Sequence, residues 1–180
     1  MSESMHHHTA PPSADMSLDA LAQQAVNHLA QGGRLGDIQG LDEYDYEMLY
    51  ALGHGMYTQG RYADAARVFG FGLLNNHLDR RFTMAYASAL QMSGEWAAAI
   101  PLYMMAAVMD MNDPHPCFHS CECLLGLGQK AQACEGLAIV VRQCGDAHPE
   151  LRERAQAMLQ LLSHPDTETQ PGKESPHHGN

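Results

Sequence analysis

At 180 residues the chain is long enough for one domain or a short stack of repeats, and its apolar 45% leans on Ala, Leu and Met, with 12 Met against 4 Phe. That mixture favours helices, since β-branched residues are scarce. Ten Lys+Arg against 21 Asp+Glu leave a formal charge of -11, which argues against nucleic acid, whose binding needs a concentrated basic face.

No run approaches the roughly 18 consecutive apolar residues of a membrane span. Residues 1–15 lack the basic and apolar regions of a secretory signal. The five cysteines all lie between Cys117 and Cys144, unlike the spread framework of a secreted disulfide scaffold. The expectation is a soluble, cytoplasmic protein with reduced thiols and no direct membrane insertion.

Residues 1–16, with His6, His7 and His8 and a Pro-Pro pair, have the composition of a disordered tail. Residues 17–45 form an N-terminal helical region. Ser17 is a good N-cap, Leu18, Leu21, Ala22, Ala25, Val26 and Leu29 follow at helical spacing, and Gly32-Gly33 ends the helix.

Internal repetition occupies residues 46–147. The segments YTQGRYADAARVF, QMSGEWAAAIPLY and LGLGQKAQACEGL begin at Tyr57, Gln91 and Leu125 and align without a gap at a period of 34 residues. They share turn glycines (Gly60, Gly94, Gly128), small residues five places on (Ala65, Ala99, Ala133) and a bulky residue after that (Phe69, Tyr103, Leu137). In a helical hairpin the glycine adopts the left-handed turn, the alanine lets two helices approach, and the bulky residue fills the space beside it. Tyr62 and Trp96 follow the first two turns, where an aromatic covers the hairpin; Lys130 stands in the third. This period is that of the tetratricopeptide repeat. Residues 148–163 supply a terminal helix, with Leu151, Ala155, Met158, Leu159 and Leu162 on one face, to cap the stack. Residues 164–180 return to a disordered, polar composition. The predicted fold is all-α: three tandem tetratricopeptide repeats in an α-solenoid, with an N-terminal helix and a capping helix.

The first helix of each repeat faces the concave side of such an array, so the lining follows from position. It takes Glu47, Tyr50, His54, Tyr57 and Thr58 from the first repeat, Arg81, Met84, Ser88, Gln91 and Met92 from the second, and His115, Phe118, Glu122 and Leu125 from the third. Tyr50, His54, Tyr57, Met84, Ser88, Gln91, Phe118 and Glu122 are the candidate client-binding residues: an aromatic, Met-containing groove suits an extended peptide with a few apolar side chains. The alternative for Tyr50 and Tyr57 is simple packing between helices.

The run His115-Pro-Cys117-Phe-His119-Ser-Cys121-Glu-Cys123 invites a metal or redox reading, because ligands one helical turn apart share a face. The repeat register already gives Cys117 and Cys121 packing slots, so no metal or other cofactor is expected. No nucleophile elbow or phosphate-binding glycine loop is present, so the chain is not expected to be an enzyme. A general tetratricopeptide adaptor or co-chaperone is a further alternative, although a carboxylate-gripping clamp needs several cationic donors and only Arg81 in the predicted lining is basic.

The chain resembles the class II chaperones of bacterial type III secretion systems, of the low-calcium-response protein H type, over about Ala22 to Leu162. The resemblance rests on Gly32-Gly33 after a short helix, on LYALGHGMYTQGRYADAARVF from Leu49, on AVMDMNDPHPCFHSCECLL from Ala107, and on the capping helix. It implies a cytoplasmic chaperone, often a homodimer through its N-terminal helices, that holds one or two hydrophobic translocators before secretion. Such chaperones clasp a P-x-L-x-x-P segment in the groove, at positions matching Tyr50, His54 and Tyr57. Where the family has an aromatic, this chain has His54.

Overall fold

The structure, a computed structural model, describes residues 17–163; both predicted tails lie outside the described residues. Among those residues the regular structure is entirely helical, with α1 (Leu18–Ala30), α2 (Leu35–Gln39), α3 (Glu43–Thr58), α4 (Tyr62–Asn75), α5 (Arg80–Met92), α6 (Trp96–Met109), α7 (His115–Gly126), α8 (Lys130–Cys144) and α9 (Pro149–Ser163). From α3 onward each helix packs on the next in sequence. The hairpins α3–α4, α5–α6 and α7–α8 are the three repeats, and α9 lies against α8. No helix of the described residues is long and apolar enough to cross a membrane.

The three hairpin turns are built alike. Gly60, Gly94 and Gly128 have φ of 75°, 82° and 74°, a region open to glycine at no steric cost. The residue after each glycine then donates its N–H back to the carbonyl five residues earlier: Arg61 to Met56, Glu95 to Leu90 and Gln129 to Leu124, at 3.0, 2.9 and 2.9 Å. This bond satisfies a carbonyl that the end of the helix would otherwise leave unpaired.

The small and bulky slots occupy the positions expected of them. Ala65, Ala99 and Ala133 are fully buried, as are Tyr103 and Leu137, with Phe69 at 2% exposure. Gly53 fills the small slot of α3; a Cβ there would lie 2.5 Å from the Phe69 ring. The core forms two clusters. One runs from Tyr46 through Phe69, Phe82 and Tyr103, and the other joins Phe118, Cys121, Leu137 and Val140 to Leu151 and Ala155 of α9. The capping helix thus buries the apolar edge of the last repeat, which solvent would otherwise reach.

The N-terminal region contains one helix more than its sequence suggested. Gly40, with φ of 78°, closes the single-turn α2, whose five residues are too few to reveal an apolar period. Ser17 caps α1 as expected, its hydroxyl accepting from the Ala20 N–H at 3.3 Å. No residue of α1 is buried. The helix is tethered where His28 Nε2 meets Asp37 Oδ2 at 3.1 Å, and its Leu18, Val26 and Leu29 remain exposed.

Candidate peptide-binding groove

Side chains of α3, α5 and α7 meet in pairs 34 or 31 residues apart: Glu47 with Arg81, Tyr57 with Ser88, and Gln91 with Glu122. Glu47 on α3 meets Arg81 on α5 at 2.7 Å. One turn along α3, Tyr50 is half-buried, its ring centroid 5.7 Å from that of Phe69 and 5.8 Å from that of Phe82. His54 stacks on the same tyrosine at 6.4 Å, and the Arg81 guanidinium lies 5.3 Å from its ring centroid. Tyr50 therefore has one side in the core and its remaining side bounded by a cation and an imidazole, both of which favour aromatic contact.

Tyr57 ends the helix. Its ring meets Tyr62 edge-on at 5.2 Å and its hydroxyl lies 2.9 Å from Ser88 Oγ on α5. Met84, half-buried, packs against the first core cluster. Tyr50, Tyr57 and Met84 each brace neighbouring helices and are only partly buried, so part of each surface stays open.

Beyond Ser88 the floor turns polar. Tyr103 on α6 donates its hydroxyl to Gln91 Oε1 at 2.6 Å, and Gln91 Nε2 donates to Glu122 Oε2 at 3.1 Å. His119 Nδ1 sits 2.8 Å from the same oxygen, and Arg154 of α9 reaches the other carboxylate oxygen at 3.6 Å. An ionised carboxylate only accepts, so His119 is the donor in that contact. Burial pushes the Glu122 carboxyl up, but hydrogen bonds from His119 and Gln91 and the positive charge of Arg154 outweigh it and hold it below the usual range. Burial also drives the Tyr103 phenol upward, keeping it a neutral donor.

Seven of the eight candidate residues thus sit along one face of α3, α5 and α7. Phe118 is the correction: it is fully buried, packed with Leu137, Val140 and Leu151, and the Arg154 guanidinium lies 4.8 Å from its ring centroid. Its register matches Tyr50 and Met84, but α9 covers this end of the stack and closes the slot. The lining there passes to His119, Glu122 and Arg154. Sequence reasoning missed the parts played by Tyr103, His119 and Arg154. The one available signal was Tyr103, a hydroxyl in a slot that the other repeats fill with Phe69 and Leu137.

The cysteine-histidine run is divided among other partners. Cys121 is buried beside Gly136 and Cys123 is fully buried. Burial pushes their thiols up to about 12 and about 11, so both are neutral, small hydrophobes. His115 Nδ1 lies 2.7 Å from Asp113, while His119 faces Glu122.

Comparison with known proteins agrees with this construction. The tetratricopeptide repeat family matches residues 82–113. The low calcium response locus protein H of Yersinia pseudotuberculosis is 33% identical over 137 residues, covering 74% of this chain and 81% of that protein. The type III secretion translocator chaperone SycD of Yersinia enterocolitica superposes with a TM-score of 0.63 at 33% identity, over 68% of this chain and 86% of SycD, and SycD is also known as an alternative dimer. PcrH, a Pseudomonas aeruginosa protein solved with the chaperone-binding region of PopD, superposes with a TM-score of 0.64 at 34% identity, over 68% of this chain and 94% of PcrH. At this degree of identity and coverage, and with the same fold, the chain belongs to the family of type III secretion translocator chaperones typified by low calcium response locus protein H and SycD.

Proposed function

We propose that this protein is a cytoplasmic bacterial chaperone that holds one or two hydrophobic translocators of a type III secretion system, gripping an extended client segment in the concave groove. The observation that carries the reading is the row of half-buried Tyr50, Tyr57 and Met84, flanked by exposed His54 and Arg81, on the face shared by α3 and α5. Relatives solved with the chaperone-binding region of PopD or a YopD peptide support it. An acidic partner with a net charge of -11 occupying part of an aggregation-prone client raises its solubility by mass action and charge repulsion. Binding suffices for this task, so the reading needs no catalytic step, nucleotide or metal. The exposed apolar stripe of α1 supports a homodimer formed through the N-terminal helices.

Co-expression with a hydrophobic translocator of a type III secretion system tests the reading. It is expected to yield a soluble complex that copurifies, and Tyr50→Ala with Tyr57→Ala is expected to abolish copurification while helicity persists. Loss of helicity in the double variant would assign both side chains to the core, and a translocator that stays insoluble beside the folded wild-type protein would overturn the chaperone reading.

A further inference from the structure

The second repeat carries a helix unlike its neighbours. From Trp96 to Met109, α6 has no charged side chain, in a chain with a formal charge of -11. Its buried residues Ala99, Tyr103 and Ala106 lie on one side of the helix. At about 100° per residue, Ala97, Ala98, Pro101, Met104, Met105 and Val108 lie on the other side, and all six are exposed. Val108 is 75% exposed, Met104 46% and Met105 39%. Because the Tyr103 hydroxyl reaches Gln91 on the groove floor, this apolar stripe points away from the groove. A helix that is apolar all round is ordinarily buried all round; α6 is buried on one side only.

The other repeats show that the fold does not require apolar residues there. One period of 34 residues before and after Pro101 stand Arg67 and Glu135, both exposed. The Val108 position is taken by exposed Arg142 in the third repeat, and the Ala98 position by Asp64 and Gln132 in the first and third. The same places on α4 and α8 thus accept charged and polar side chains, and only α6 keeps them uncharged. An exposed apolar stripe of this kind marks a surface for a partner.

Charge and symmetry select the occupant. The stripe has no Lys or Arg beside it on α6, so it lacks the cations that draw an amphipathic helix to a membrane surface. A second copy brings another charge of -11, and with α1 assigned to a copy, a second self-association face would let assembly grow past the dimer. An uncharged apolar helix of the client meets neither objection, and the adjacent Met104 and Met105 adapt to more than one such helix. We infer that α6 is a second client-binding site, whose outer stripe covers an uncharged, apolar helical segment of the translocator while the groove grips the extended segment on the opposite side. Docking of helix on helix takes out of water the part of the client most prone to aggregate, which a groove fitted to an extended segment leaves exposed. The inference rests on the chaperone reading and adds a second contact to it.

Val108→Arg with Pro101→Glu copies onto α6 the residues of the third repeat, so the variant is expected to keep its helicity and urea midpoint. Three clients separate the two sites: a fluorescein-labelled P-x-L-x-x-P peptide with Ala or Ser at each x, a co-expressed full-length translocator, and the same translocator without its apolar segments. The variant is expected to bind the peptide and capture the shortened translocator as the wild type does. It is expected to yield about tenfold less soluble full-length complex, because the new charges would be set against an apolar helix. Equal yields of full-length complex overturn the second site and leave the groove reading standing, and a folded wild type that holds none of the three clients overturns both. Client-free wild type that floats with vesicles of phosphatidylcholine and phosphatidylglycerol would assign the stripe to a membrane and overturn the inference. A client-free variant that is monomeric where the wild type is dimeric would assign it to a second copy, with the same result. Peroxide oxidation of the wild type needs no substitution and decides the question even if the variant does not fold. Met104 and Met105 are expected to oxidise severalfold more slowly in the full-length complex than in the shortened one, and equal rates overturn the second site.

Discussion

Gln91 and Glu122, on the first helices of the second and third repeats, are joined by a 3.1 Å hydrogen bond, and Gln91 in turn accepts the Tyr103 hydroxyl at 2.6 Å. Tyr103 fills the bulky slot of its repeat with a ring and spends the hydroxyl on holding Gln91 toward the next repeat. Tyr103→Phe keeps the ring and removes that donor. It is expected to lower stability by about 1 kcal/mol, the usual net worth of such a bond, seen in urea as a lower midpoint with an unchanged slope. No change in midpoint would show that solvent already satisfies Gln91.

Asp113 gives the stack an acid sensitivity. Burial pushes its carboxyl up, but the His115 backbone N–H, Arg80 and the His115 side chain outweigh that and bring it from 3.8 down to about 2. A depressed carboxyl stabilises the fold above its unfolded value and loses that contribution as pH falls through its folded value. The shift corresponds to about 2 kcal/mol, present at neutral pH and lost between about 3.8 and about 2. Asp113→Asn is expected to be destabilised by that order at pH 7 and to match the wild type near pH 2. Unfolding by denaturant across this range checks it, and a difference that is independent of pH would show that the residue acts through shape alone.

The repeats were legible in the sequence because their devices are local. A glycine needed at positive φ, an alanine where helices touch and a bulky neighbour recur at Gly60-Ala65-Phe69, Gly94-Ala99-Tyr103 and Gly128-Ala133-Leu137, and each can be read from spacing alone. What stayed hidden depends on an element distant in sequence. Whether Phe118 lines the groove is decided by α9, more than 30 residues later, whose Arg154 lies over the ring. The partners of Glu122 come from α5, its own helix and α9, and no period in the chain encodes that meeting. The short α2 escaped because one helical turn carries no periodic signal.

The N-terminal helix bears on the oligomeric state. It has no buried residue, and Leu18, Val26 and Leu29 are 84%, 59% and 40% exposed, an apolar stripe that a second copy would remove from water. Val26→Glu with Leu29→Glu is expected to convert a dimer to a monomer in sedimentation equilibrium while leaving the repeats folded, since neither side chain is part of a core cluster. A monomeric wild type, or a double variant that remains dimeric, would exclude this stripe as the interface.

Tyr50 and Phe118 share a register position and have different surroundings, which makes them a matched pair. Phe118 is fully buried under α9, so Phe118→Ala opens a cavity in the second core cluster and is expected to cost about 3–5 kcal/mol. Tyr50 is half-buried against Phe69 and Phe82, with the exposed His54 and Arg81 beside the rest of its ring, so Tyr50→Ala sacrifices less packing and is expected to lose less stability. Client capture should rank the other way. Tyr50→Ala is expected to lose the translocator while its urea midpoint stays well above that of Phe118→Ala, and Phe118→Ala, where it remains folded, should still capture. If Phe118→Ala loses capture at a temperature where its circular dichroism is native, the third repeat takes part in binding through a displacement of α9, and the groove extends further along the stack than its open surface indicates.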